Sequence, residues 1–258
     1  MINAVGRDIP EEILRLTGKE VFQGNNHFDG YEYRRQAPKV KCVIDPEKSK
    51  LRSSIREVLE ACGIKDGMTL SFHHHFREGD KIVNMVMKEV HDMGLKDIRL
   101  CASSLGKAHE ALVPMIEDGT ITEIRSSGVR GEIGKVISEG KLKGLAYMQS
   151  HGGRVRSIVS GEVKIDIAFI GAPTADDYGN CSGIGGTSDC GVLSYAAADA
   201  DYADNVVVIT DHLVPFPNMP AQISMTKVDY VVQVDQIGDP AKIATGAAKP
   251  TSDVRKLM

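Results

Sequence analysis

Thr69-Leu-Ser-Phe72, His73-His-His-Phe-Arg-Glu-Gly-Asp80, Lys81-Ile-Val-Asn-Met-Val-Met-Lys-Glu-Val-His-Asp-Met-Gly94 and Leu95-Lys-Asp-Ile-Arg-Leu-Cys-Ala102 follow one another without a break. The first piece is a short apolar run suited to a buried strand. The second is polar and bears glycine. In the third, Ile82, Val83, Val86, Val90 and Met93 fall on one face of a helix, and Gly94 closes it. The fourth ends in a second short strand, Ile98–Ala102. A strand, a helix and a strand at this spacing make a βαβ unit, because parallel neighbours need a crossover of a dozen residues or more.

The same alternation continues in both directions. Downstream, β-rich runs occur at Ile121–Arg125, Leu145–Gln149 and Ile165–Ile170. Between them lie helical faces built from Ala111, Leu112, Met115 and Ile116 (closed by Gly119), from Ile133, Val136 and Ile137 (closed by Gly140), and from Val155 to Val159 (closed by Gly161). Val206–Thr210 and Tyr230–Val234 supply two more strands, and Pro215, Pro217 and Pro220 make their connection a loop. Upstream, Leu51, Ile55, Val58, Leu59 and Cys62 form a helical stripe ended by Gly63. The pattern predicts an α/β domain over 48–245, an open, mostly parallel twisted sheet with helices on both faces. Residues 1–47 read as an N-terminal arm, with a short helix at Pro10–Leu16 and a Gly/Asn/Tyr-rich stretch, Phe22–Pro38, lying across a surface. At the other end Thr251-Ser-Asp253 reads as a helix cap, so 246–258 is expected to begin a linker or helix that leads elsewhere.

Composition narrows the function. With 258 residues, 42% of them hydrophobic and 26% charged, the chain can bury a core of ordinary size. The net charge of −4, the absence of tryptophan and an aromatic content of 5% argue against nucleic acid as a partner. No apolar run reaches the ~18 residues that span a bilayer. The first residues form no apolar signal region, so neither membrane nor secretion is expected and the expected location is the cytoplasm. Five cysteines without a C-x-x-C pair give neither a disulfide framework nor a zinc site.

Ligands of open α/β sheets bind beyond the carboxyl ends of the strands. The candidate loops are therefore His73–Gly79, Ser103-Ser-Leu-Gly106, Ser126-Ser-Gly-Val-Arg-Gly131, Ser150-His-Gly-Gly-Arg154, and Gly171–Asn180 running into Ser182–Thr187. They carry small residues, hydroxyls, histidines and three arginines, which suits a small polycarboxylate or a phosphate-bearing arm. His73 and His75 can share a face of an extended chain, but His74 cannot join them. The triplet lacks zinc spacing, so hydrogen bonding to a carboxylate ligand is the chemistry it suggests, and no metal is expected. No Walker, dinucleotide-binding or nucleophile-elbow pattern is present.

Asp66-Gly-Met-Thr-Leu-Ser-Phe-His-His-His-Phe-Arg77, Ser150-His-Gly-Gly-Arg154, Ile165-Asp-Ile-Ala-Phe-Ile-Gly171 and Ala175-Asp-Asp-Tyr-Gly-Asn180 together resemble the α chains of citrate lyase, within the wider family I CoA transferases. The last piece is similar to the Ala-Asp-x-x-Gly-Asn signature of the wider family. The histidine piece is the part that resembles citrate lyase in particular. The resemblance implies a CoA-transferase half that moves an acyl-carrier thioester from acetate to citrate, through a glutamyl thioester. It implies citrate contacts at His73, His74, His75, Arg77, Ser103, Ser104, Arg130, His151 and Arg154. Contacts with the carrier or CoA are implied at Gly152, Gly153, Asn180, Gly183, Gly185 and Gly186. Such α chains resemble two transferase halves joined end to end, and this sequence matches the first. The nucleophilic glutamate is therefore expected in the second half, and no catalytic residue is assigned here. The implied partners are citrate, acetate, an acyl carrier protein or CoA thioester, and the lyase β and carrier γ subunits, in an oligomer. The chain would hold no bound cofactor and would act on the carrier's CoA-like prosthetic group. A non-catalytic binding or assembly half, and a transferase for another carboxylic acid, are the alternatives.

Overall fold

The structure, a computed structural model, describes residues 1–23, 37–40 and 49–243. The elements in chain order are α1 (Glu11–Thr17), β1 (Leu51–Arg52), α2 (Ile55–Ala61), β2 (Thr69–Phe72), α3 (Ile82–Asp92), β3 (Ile98–Ala102), α4 (Val113–Glu117), β4 (Ile121–Ser126), α5 (Gly131–Ser138), β5 (Ala146–Met148), α6 (His151–Val159), β6 (Ile167–Gly171), β7 (Thr174–Ala175), β8 (Cys181–Ser182), α7 (Ala196–Tyr202), β9 (Asn205–Thr210), β10 (Tyr230–Gln233) and α8 (Pro240–Ile243). Eight strands form one sheet in the order β1-β10-β9-β6-β2-β3-β4-β5, every pairing parallel. A short antiparallel pair, β7 with β8, stands apart from it.

Period-two alternation sorts the strand side chains to the two faces. Leu70, Phe72, Ile98, Leu100, Ile167, Phe169, Val207 and Ile209 join α2, α3, α4 and α5 in one buried cluster. Cys101, Ala168, Ile170, Val206, Val208 and Val231 join Ile158 of α6 and Ala196 and Ala200 of α7 in the other. Both faces are covered, which is why the central strands read as continuous apolar runs. Each such side chain stabilises the fold by roughly 1.5–3 kcal/mol relative to an exposed one.

Most expected elements are present, with two shifts. Leu51 does not extend the helical stripe: it sits on β1 and pairs with Val231, and the helix begins at Ile55 because Ser54 caps it, its side chain accepting from the Glu57 N–H. The stripe at Ala111–Ile116 splits into a 3-10 turn, Lys107–Leu112, and the short helix α4, which begins ahead of Pro114. The cap expected at 251–253, the boundaries at 47/48 and 245/246, and most of the Phe22–Pro38 arm lie outside the described residues. Of the expected arm, α1 is present and buries none of its side chains.

Candidate active site

The chain steps outward from β2 through β3, β4 and β5 on one side, and from β6 through β9 and β10 on the other. β2 and β6 are neighbours, so the topological switch lies between them, and a crevice opens past their carboxyl ends. The histidine triplet follows β2 directly and bridges this gap. Nδ1 of His73 lies 3.2 Å from the Phe169 carbonyl, and Nε2 of His75 donates to the Gly171 carbonyl at 2.9 Å. The two imidazoles are nearly parallel, centroids 5.9 Å apart. His74 turns the other way, its backbone N–H donating to Ser103 Oγ at 2.7 Å.

A cleft of about 360 Å³ occupies the crevice, within the range of small-molecule sites. Its floor is His73, His74, His75, Arg77 and Ser103, and His151 stands at one side. The opposite wall is Asp189, Cys190 and Val192–Tyr195, and Ile243 of α8 closes the end. His151 packs on Tyr195 with centroids 5.1 Å apart, and its Nε2 lies 3.3 Å from Ser127 Oγ. Arg77 (φ 52°) on the floor and Ser194 (φ 41°) on the wall both hold left-handed backbone conformations that cost non-glycine residues energy.

Behind the floor runs a buried polar network. Asp199 of α7 is fully buried. Its Oδ2 lies 2.8 Å from His73 Nε2 and accepts from Arg154 at 3.0 Å. Its Oδ1 accepts from Arg154 at 2.9 Å and from the Ser71 hydroxyl. Arg154 also donates to Ser71 Oγ at 2.6 Å and to the Cys101 carbonyl at 3.2 Å. Burial alone would raise the Asp199 carboxyl, but Arg154 and His73 overcome it and hold the group below the usual carboxylate range. Both ring nitrogens of His73 face acceptors, the Phe169 carbonyl and the Asp199 carboxylate. His75 differs. Burial, with His73 alongside, pushes it down to about 4.

Six of the expected substrate contacts, His73, His74, His75, Arg77, Ser103 and His151, meet in the cleft. Arg154 does not. Two hydrogen bonds to Asp199 hold its guanidinium in the core, so it acts on the cleft through His73. Ser104 is buried, donating to the Gly128 carbonyl at 3.3 Å, and Arg130 is an exposed residue at the start of α5. Asn180 is buried away from solvent: its amide donates to Asp176 at 2.8 Å and accepts from the Met225 N–H at 3.0 Å. Asp176 also takes four backbone N–H groups, of Tyr178, Gly179, Asn180 and Asn218. The Ala-Asp-x-x-Gly-Asn stretch therefore builds a rigid turn.

The glycines beyond β8 answer to close packing. A Cβ on Gly183 would stand 2.0 Å from the Gly191 carbonyl oxygen, and one on Gly186 would stand 2.2 Å from that of Pro173. Gly185 takes φ +93°. In α6, Gly153 donates its N–H to the capping Ser150 at 3.0 Å, while Gly152 faces open space. The sequence alone singled out neither Asp199 nor the wall from Asp189 to Tyr195. Among the described residues no group of three or more histidine, cysteine or acidic side chains is arranged to hold a metal ion, and no helix is long and apolar enough to cross a membrane.

A parallel sheet covered on both faces, with its cleft at the switch point, defines the class. Glutaconate coenzyme A-transferase from Acidaminococcus fermentans shares the fold, with a TM-score of 0.51 at 14% identity over 72% of this chain and 75% of that one. The family follows from closer likenesses. The family model for the citrate lyase alpha subunit matches residues 48–258, and the chain belongs to that family. The citrate lyase alpha chain of Haemophilus influenzae is 48% identical over 94% of this chain and 49% of its own length. A Streptococcus mutans structure assigned as a citrate lyase alpha subunit, in complex with citrate, has a TM-score of 0.82 and 46% identity, over 99% of this chain and 49% of that one. The chain spans about half the length of the curated relatives it matches.

Proposed function

We propose that this chain forms the citrate-binding half of an acyl-carrier transferase in a citrate lyase complex. The reaction is acetyl-carrier plus citrate giving citryl-carrier plus acetate, and it takes place in the cytoplasm. The carrying observation is the switch-point cleft, floored by three consecutive histidines and Arg77, in a chain 46% identical to a relative whose structure contains citrate. A tricarboxylate brings several negative charges and many acceptor oxygens. The guanidinium of Arg77, the Ser103 hydroxyl and imidazole donors match those oxygens.

The covalent step needs a carboxylate nucleophile, which we assign to the other half of the full-length α subunit. This half binds citrate, orients the attacking carboxylate and supplies donors near the oxyanion. We also assign to it one wall of the channel for the carrier's CoA-like arm, built around Gly152, Gly153, Gly183, Gly185 and Gly186. The β subunit and the γ carrier are the partners this reading requires, in an oligomeric complex.

Calorimetric titration of the chain with citrate tests the reading. Saturable binding that weakens on His74→Ala and Arg77→Ala supports it. An absence of citrate binding, both to the chain and to the full-length α subunit, overturns it.

A further inference from the structure

One lone-pair nitrogen on the cleft floor has a fixed identity. Nε2 of His75 gives its hydrogen to the Gly171 carbonyl at 2.9 Å, which leaves Nδ1 as the ring's lone-pair nitrogen. That Nδ1 makes no hydrogen bond to any described residue, and His75 lines the cleft. The parallel ring of His73, 5.9 Å away, is held between the Phe169 carbonyl at 3.2 Å and the Asp199 carboxylate at 2.8 Å. The neighbouring His73 ring disfavours a second hydrogen on His75. Burial disfavours it as well, and His75 is held down at about 4.

A carboxylate oxygen cannot satisfy such an atom, because two acceptors then meet. An alcohol hydroxyl can. Asp189, the carboxylate on the wall, is exposed at the rim and already receives the Gly186 N–H at 2.7 Å. Resting on the proposed citrate site, we infer that His75 is a specificity-determining residue for hydroxy acids, its Nδ1 accepting the hydrogen bond of the ligand's alcohol hydroxyl. The cleft then selects citrate over propane-1,2,3-tricarboxylate, which has the same three carboxylates and no hydroxyl.

The test compares calorimetric affinities of the two acids for the chain and two variants. Glutamine at 75 can keep the donor to Gly171 while losing the acceptor, whereas asparagine puts its Oδ1 near the place of Nδ1. The unmodified chain is expected to bind citrate about tenfold more tightly than the deoxy acid, the scale of one neutral hydrogen bond. His75→Gln should bring that ratio close to one with the deoxy acid's affinity unchanged, and His75→Asn should retain most of the preference. Equal binding of both acids by the unmodified chain overturns the inference and leaves the citrate site standing. So does a His75→Gln variant that weakens both acids equally. If neither the unmodified chain nor the full-length α subunit binds either acid, the citrate reading falls and this inference falls with it.

Discussion

Nε2 of His73 lies 2.8 Å from Oδ2 of Asp199, joining the end of β2 to a helix 126 residues further along the chain. Neither group is accessible: their side chains are 2% and 0% exposed. The pair fixes the histidine that stands behind His75, so the shape of the cleft depends on a carboxylate that never touches it.

Removing one member of this network leaves a buried charge unmatched. Asp199→Ala is expected to destabilise the fold by about 3–5 kcal/mol, read from urea denaturation. Arg154→Ala should cost a similar amount. The double variant should cost clearly less than the sum, because the two groups share their bonds. Strict additivity would show that the pair is not the coupled unit described.

The histidines give the fold a defined pH dependence. An unfolded histidine titrates near about 6.5. Folded His75 is held at about 4, by burial first and by the charge of His73 second, against smaller opposing effects of the Gly171 carbonyl and Asp80. Burial displaces His74 in the same direction. As pH falls from about 6.5 toward 4, the unfolded chain takes up protons that the folded chain refuses, so stability falls with pH. Asp199 acts in another window. Its folded value is depressed, so its contribution is intact above about pH 4 and is lost below. Melting temperatures across pH 4–7 should therefore fall toward acid, and His75→Gln should flatten the slope. An unchanged slope would count against the assignment.

The turn around Asp176 carries its own expectation. Gly179 takes φ +100°, and a Cβ there would stand 2.7 Å from Val228 Cβ. Gly179→Ala should lower stability by about 1–3 kcal/mol through backbone strain and the clash together. Adding Val228→Ala removes the Cγ1 contact, also at 2.7 Å, but keeps the Cβ contact and the strain, so it should restore only a part of the Gly179→Ala loss. Full recovery would mean that the φ angle is not strained.

The sheet was legible because its strands are doubly buried: Thr69–Phe72 and Ile98–Ala102 have the bounds that the apolar runs predict. α7 left no comparable trace. Ala196-Ala-Ala-Asp-Ala-Asp-Tyr202 buries small side chains against the sheet and shows no large apolar stripe. Asp199 was missed with it. Arg154 was misread for a related reason. The glycines before it suggested an open loop, but Ser150 caps a helix there and turns the arginine inward. A buried arginine needs an acid, and that acid lies 45 residues away in the chain. The β2 loop was readable because its chemistry is local: three adjacent histidines at a strand end alternate faces whatever surrounds them.

No glutamate lines the cleft among the described residues. Of the two nearest the strand ends, Glu78 accepts the Ala108 N–H at 3.2 Å, and its Oε1 occupies the space where a Gly106 Cβ would lie, at 2.7 Å. Glu132 sits in the first turn of α5, where a carboxylate complements the helix dipole, and pairs with Lys135 at 3.3 Å. Both carboxylates are spent on local structure, and neither lines the cleft. Incubating this chain with an acetyl thioester, followed by hydroxylamine or borohydride trapping and mass spectrometry, should therefore give no adduct on any of its glutamates. Supplying the other half of a full-length α subunit should give one, on the added half, because that is where the covalent route requires its carboxylate. A trapped adduct on Glu78 or Glu132 of the chain alone would overturn this division of labour. It would place the nucleophile within reach of the histidine floor instead.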